Sequence, residues 1–254
     1  LQQIARTATG IEHVTVEFVD TTRIGSAGST SASRQTQMTG GAVLEAATRL
    51  RDEALRRAGG DDLSDAGVLR DGDVVATLAE VLADGEISEW SRFHHPPTTT
   101  PTETGQGDLH AGFAVAAHRA VVDVDPDLGL VRVVRMDTAQ DVGKVLHPAS
   151  VVGQVEGGTL QGVGMAVMEE LLIGDDGAIR NASFTDYLLP TILDAPDLEA
   201  VLIEEPDHFG PFGAKGVGEP PTISSTAAVV AAVRAATGRP LNRAPMRPED
   251  IAGV

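Results

Sequence analysis

Cysteine is absent from the chain. That excludes disulfides, a thiolate zinc site and an iron–sulfur cluster held by the usual cysteine set. Any electron path through such clusters must run on another polypeptide. The lack is compatible with a reducing cytoplasm, the location expected here. Positive charge is also scarce: 19 Lys and Arg stand against 37 Asp and Glu, a formal net charge of −18 over 254 residues. Nucleic acid and anionic membrane both need a basic footprint, so neither is an expected partner. No apolar run approaches the ~20 residues of a membrane span. The first residues, Leu1-Gln2-Gln3-Ile4-Ala5-Arg6, carry neither a methionine nor a charged-then-apolar signal pattern. They read as the middle of a helix, and the chain is taken as a fragment or the C-terminal part of a longer protein.

Nucleotide-binding loops are missing too. Residues 157–164 do not spell Gly-x-Gly-x-x-Gly, and Gly213-Ala214-Lys215-Gly216 lacks the Gly-Lys-Ser/Thr ending of a phosphate loop. The histidines give no metal site. His94 and His95 are adjacent in a Pro/Thr-rich stretch, and on a strand they would point to opposite faces. His147 directly precedes Pro148 and reads as structural. No side chain is expected to ligate a metal.

The length allows a substantial core, in one large domain or two smaller ones. Residues 1–9 read as helical, and His13–Asp20 alternates with Val14, Val16 and Phe18 on one face. Residues 34–58 have helical composition and end at Gly59-Gly60; a second helix is expected over Asp73–Leu82 and a short strand over Glu86–Phe93. His94–Gly107 is the clearest linker. The expected division is a first lobe at 1–95, N-terminally incomplete, a linker at 96–108, and a second lobe at 109–254. In that lobe Ala114–Val124 and Leu130–Met136 form a hairpin around Pro126 and Gly129, since proline presets φ and glycine supplies a positive one. Helices are expected over Ser150–Leu171 and Ser224–Ala236, the latter stopped by Gly238. The pattern is α+β, two lobes of mixed sheets packed with helices.

Two stretches carry candidate chemistry. In residues 210–221 a lone carboxylate, Glu219, is fenced by Gly210, Gly213, Gly216 and Gly218 and closed by Pro220-Pro221. Proline restricts the preceding residue to extended backbone. A carboxylate held on a preset loop suits a general base; a surface turn with a solvated glutamate fits the same composition. In the helix near 151–171, Gln154, Gly157, Gly158, Gln161, Gly164 and Met165 share one face. Small residues with two amides suit either a polar ligand lying on the backbone or tight packing against another element.

The chain resembles the molybdenum-binding subunit of the xanthine dehydrogenase (molybdenum hydroxylase) family, from about Val14 to Ile251. The residues that carry the resemblance, in order, are Ser29-Thr30-Ser31-Ala32-Ser33, Val142-Gly143, His147-Pro148 and residues 153–158. They continue with Glu169-Glu170, Asp186-Tyr187, Pro190-Thr191 and residues 213–221. The resemblance implies the molybdenum-cofactor-binding fold and a molybdenum–pterin cofactor, as a mononucleotide or a dinucleotide. In it, Glu219 matches the glutamate that acts as base on the molybdenum-bound hydroxyl. Gln154 matches the glutamine that hydrogen-bonds the pterin. Ser31, Ala32, Ser33 and Gly218 fall in cofactor-contacting segments, with Ala32 nearest the metal. Molybdenum is held through the pterin's sulfurs, so no protein ligand set is implied. Gly105-Gln106-Gly107 is not the family's Gly-Gln-Gly cofactor motif, because it follows Ser31 rather than preceding it. The implied activity is hydroxylation of a purine-like heterocycle such as xanthine or hypoxanthine with a water-derived oxygen, with [2Fe–2S] and FAD on partner subunits or domains. The upstream half of the subunit is a further implied partner. The alternatives are an aldehyde, nicotinate-like or carbon monoxide oxidising enzyme, or a non-catalytic module that keeps the fold.

Overall fold

The computed structural model describes residues 1–24 and 31–253. Ser29 and Thr30 lie outside the described residues, as does the side chain of Ala32. The chain forms two compact units. One comprises Leu1–Phe113, Gly143–His147 and Glu205–Gly216; the other comprises Ala114–Val142, Pro148–Glu204 and Val217–Val254. The stretch 96–108 falls inside the first unit.

In the first unit, α1 (Gln2–Thr9) stops at Gly10, where φ is 80°. Helix α2 (Ala32–Ala58) runs from Ser31 as N-cap to a left-handed Gly59. A three-stranded antiparallel meander follows: β1 (Asp62–Ser64), β2 (Gly67–Arg70) and β3 (Asp73–Ala76). The helix expected over Asp73–Leu82 is therefore half strand. Asp71 and Gly72 both have positive φ, 54° and 87°, which is the two-residue turn that Asp-Gly favours, and it pairs Arg70 with Asp73. Helix begins only at α3 (Leu78–Val81), behind a capping box. In it Glu80 donates its N–H to the Thr77 hydroxyl (3.3 Å) and accepts the Thr77 N–H (2.8 Å).

The alternating stretch His13–Asp20 and the segment Glu86–Phe93, where a strand was expected, are both irregular, and Val16 and Phe18 are exposed. Alternation does not make a strand unless a neighbour completes its backbone hydrogen bonds. Near 86–93 arginines of α2 take those bonds instead: Arg57 donates to the Gly85 carbonyl (2.8 Å) and Arg49 to that of Trp90 (3.0 Å). Ala54, Leu63, Val68 and Val81 form the buried centre of this unit.

In the second unit, β4 (Ala116–Asp125) and β5 (Leu130–Asp141) are antiparallel, and β6 (Asp197–Ile203) runs parallel to β5. The hairpin turn is made as expected. Asp125 Oδ1 accepts the N–H groups of Asp127 and Leu128, both at 3.0 Å, and Gly129 has φ 68°. Helices α4 (Pro148–Val167) and α5 (Pro220–Thr237) cover one face of the sheet, and α6 (Pro248–Ala252) closes the chain. The core joins Val133 and Met136 of β5 to Val163 and Ala166 of α4, Val229 and Val233 of α5, and Ile251 of α6. The opposite face carries charge: Arg135 pairs with Asp137 (2.6 Å) and Glu199. The architecture is α+β, two units of sheet packed with helices.

Candidate functional site

The glycine-rich loop is built by packing. In the first unit, the Gly213 carbonyl accepts the N–H groups of Asp207 and Lys144, both at 2.9 Å. Gly143 forms an isolated antiparallel bridge with Ala214. A Cβ on Gly143 would stand 2.2 Å from the Gly213 oxygen, so Gly143 and the loop meet backbone to backbone. Asp207 anchors the turn, accepting from Phe209 N–H (2.6 Å) and from Gln37 Nε2 on α2 (3.1 Å). Phe212 has φ 54° and is followed by Gly213 at 85°. Two successive left-handed residues, one not glycine, are a strained feature. A Cβ on Gly216 would stand 2.1 Å from the Ser33 carbonyl oxygen, so only glycine lets this loop reach the start of α2.

Glu219 belongs to the second unit and is the N-cap of α5. Its backbone is in the α region, φ −103° and ψ −37°, rather than the extended conformation expected before a proline. The reason lies in the helix start. Pro220 and Pro221 occupy the first two helical positions and have no N–H, and the Glu219 carbonyl turns in to accept Thr222 N–H at 3.0 Å. The side chain is exposed on this chain, where a base requires a nearly dry surrounding, and Gly218 before it is half-buried.

Helix α4 resolves the two readings of its small residues by dividing them between faces. Gly158 and Gly162 face α5, where a Cβ would stand 2.8 Å from Pro221 Cβ and 1.7 Å from Ser225 Oγ. Thr222 Oγ1 donates to the Gly158 carbonyl (3.1 Å), and Thr226 Oγ1 to that of Gly162 (3.0 Å). Gly164 packs on Pro190 and Glu169, whose carboxylate accepts from Tyr187 Oη at 2.9 Å. Gly158 and Gly164 therefore leave the shared face assigned from spacing. Gln154, Gly157 and Met165 remain exposed together, while the exposed Gln161 turns its Oε1 to accept from Thr222 Oγ1 of α5 (3.2 Å); a Cβ on Gly153 or Gly157 would meet nothing within 4 Å. Close packing fixes one side of α4, and an open surface bearing the Gln154 amide beside Gly153 and Gly157 forms the other.

Ser31 is the N-cap of α2, and its side chain makes no capping hydrogen bond. Ser33 lies in the first turn, half-buried. Ser31, Ala32 and Ser33 belong to the first unit, and Gln154, Gly218 and Glu219 to the second. Among the described residues no group of three His, Asp or Glu could hold a metal ion. Taken by itself, the open face of α4 with the Gln154 amide fits a polar ligand that brings its own metal ligands.

The sequence gives no signal for one further group. His118 on β4 reaches Ser224 of α5 through Nδ1 (2.8 Å) and Thr159 of α4 through Nε2 (3.2 Å), and burial lowers its pKa below the ordinary 6.5. It sits in an alternating strand with no neighbouring motif, so only the tertiary structure reveals its partners.

A family model described as a molybdopterin cofactor-binding domain matches residues 1–196. The gamma subunit of the 6-hydroxypseudooxynicotine dehydrogenase complex of Paenarthrobacter nicotinovorans is 32% identical over 259 positions, covering 94% of this chain and 32% of that protein. A probable xanthine dehydrogenase subunit of Bacillus subtilis is 30% identical, covering 94% of this chain and 33% of that protein. Aldehyde oxidoreductase from Desulfovibrio gigas superposes with a TM-score of 0.81 at 28% identity, over 99% of this chain and 27% of its own. The chain thus spans about a third of the length of the curated relatives it matches. It belongs to the molybdopterin cofactor-binding family, that of the molybdenum-binding subunits of xanthine dehydrogenase and related molybdenum hydroxylases.

Proposed function

We propose that this chain supplies the general base and part of the cofactor grip of a molybdenum hydroxylase acting on a purine-like heterocycle such as xanthine or hypoxanthine. The observation that carries the reading is the mounting of Glu219. Two prolines preset the helix it caps, and glycine contacts seat that helix on α4. A bound molybdenum–pterin group supplies two-electron redox chemistry and the water-derived oxygen. Glu219 takes up a proton at its carboxylate. Gln154, whose amide both donates and accepts, holds the polar edge of the pterin. Ser31, Ala32 and Ser33 offer the start of α2 to polar atoms of the cofactor, and Gly218 lets it approach the backbone before the base. That role requires water to be kept from Glu219 in the assembled enzyme. Electrons leave through [2Fe–2S] and FAD groups on partner subunits of a cytoplasmic complex, since this chain has no cysteine.

The purine reading is supported by the Bacillus subtilis relative. A nicotine-derived ring or an aldehyde is the second reading, favoured by the Paenarthrobacter nicotinovorans relative and the aldehyde oxidoreductase structure. The test is to purify the protein with its natural partners from a host that makes the cofactor. Near-stoichiometric molybdenum with a pterin nucleotide is expected, with hydroxylation of hypoxanthine exceeding that of nicotinate or benzaldehyde. Glu219→Gln should lower kcat at least ~10²–10⁴-fold with cofactor content unchanged. A well-folded complex without molybdenum would leave a binding or assembly module and overturn the catalytic reading.

A further inference from the structure

Between the sheet and the two helices of the second unit, part of the filling is polar. His118 lies opposite Thr138 in the β4–β5 register, so both side chains face the helices. Thr138 Oγ1 donates to the Ala117 carbonyl (3.2 Å) and accepts from Gln140 Nε2. Gln140 is 1% exposed, and its Oε1 has no partner among the described residues. Thr159 is fully buried. Such a layer is costly where its groups go unpaired, and where they are paired its bonds fix a geometry.

The hydrogens can be assigned from the partners. Ser224 Oγ also reaches toward the Ala116 carbonyl at 3.5 Å, which leaves it to accept from Nδ1–H. Nε2 then accepts from the Thr159 hydroxyl. One neutral imidazole thereby ties β4 to both helices. Its Nδ1 bond lands on Ser224, five positions after Glu219 in the opening turns of α5.

We infer that His118 is a positioning residue that holds the first turns of α5, and with them Glu219, against β4 and α4. The inference rests on the reading of Glu219 as the base. Contacts from Gly158 and Gly162 set how near α5 lies to α4. His118 adds the bond that ties it to the sheet.

Three substitutions in the purified holoenzyme complex separate the two bonds. In His118→Asn the amide atoms fall near Nδ1 and keep Ser224 within reach. In His118→Gln they fall near Nε2 and keep Thr159. His118→Phe loses both. The Phe variant should lose about tenfold to a hundredfold in kcat, the scale of a small misplacement, with KM and molybdenum content unchanged. Asn should restore kcat to within about threefold of the parent and Gln should not. Amide hydrogen exchange over Thr222–Thr226 should quicken in Phe and Gln but not in Asn. Equal rescue by Asn and Gln, an unchanged Phe variant, or a loss confined to molybdenum content would each overturn the inference. If Glu219→Gln leaves turnover intact, the base reading fails instead, and the exchange pattern still decides what His118 holds.

Discussion

Two alanines on one helix should act in opposite directions. At Gly162 an added methyl stands 1.7 Å from Ser225 Oγ, 2.7 Å from Ser225 Cβ and 3.0 Å from the Thr226 nitrogen. Rotating Ser225 relieves the first contact only. The others involve atoms fixed to the backbone of α5, so that helix has to withdraw by roughly half an ångström or more, an overpacking that costs about 1–3 kcal/mol. The Thr226 bond to the Gly162 carbonyl, 3.0 Å long, is strained with it, a further ~0.5–1.5 kcal/mol if lost. Alanine returns about 1 kcal/mol through helix propensity. The net is a loss of roughly 0.5–3.5 kcal/mol for Gly162→Ala. At Gly157 nothing lies within 4 Å of the added methyl, so the propensity gain of up to ~1 kcal/mol stands alone. Local opening free energies from amide hydrogen exchange along α4 and α5 measure both. Exchange in Gly162→Ala as slow as in the parent would refute close packing of the two helices. Faster exchange in Gly157→Ala would refute an open face. Gly157→Ala also tests the ligand: protection kept or raised while molybdenum content falls places the cofactor on that face, and full molybdenum content removes it from there.

The first unit offers a parallel case. Gly216→Ala should destabilise by about 1–3 kcal/mol, because its methyl meets the Ser33 carbonyl oxygen at 2.1 Å and backbone atoms cannot rotate aside. Faster exchange at the first amides of α2 is the readout, and unchanged exchange would contradict the contact. His118 predicts a pH dependence. Burial lowers its pKa from 6.5, so the unfolded chain binds the proton more readily than the folded one. Its contribution to stability is complete above pH 6.5 and is lost as pH falls below that value toward the lowered one. Melting temperatures between pH 7.5 and 5 should fall less steeply in His118→Asn than in the parent, and equal slopes would refute the assignment.

Much of the second unit was legible because its signals are local. Pro126 and Gly129 marked the hairpin, and both strands lie within a few residues of their expected places. The start of α5 was misplaced by several residues because Pro220-Pro221 reads as a stiff loop when it is the first turn of a helix. In the first unit, Asp71-Gly72 already encoded a hairpin turn, yet the helical composition of 73–82 obscured it. The irregular stretches at 13–20 and 86–93 could not be recognised from alternation. What decides them is where long-range arginine bonds and strand partners fall, and local periodicity holds no record of that.

The candidate site divides in the same way. The loop glycines were visible, but composition fitted a solvated turn as well as a positioned base. Close backbone contacts show why three of those glycines are needed: Gly210 against the Ala214 carbonyl, Gly213 at positive φ, and Gly216 against Ser33. A freely solvated turn has no use for such contacts, since any small polar residue would serve there. A loop that must bring one chain segment onto another at a fixed distance does need them. Gly210, Gly213 and Gly216 are accordingly packing residues. What sets the acid itself is the pair of prolines that begins its helix, together with the glycine contacts that seat that helix on α4.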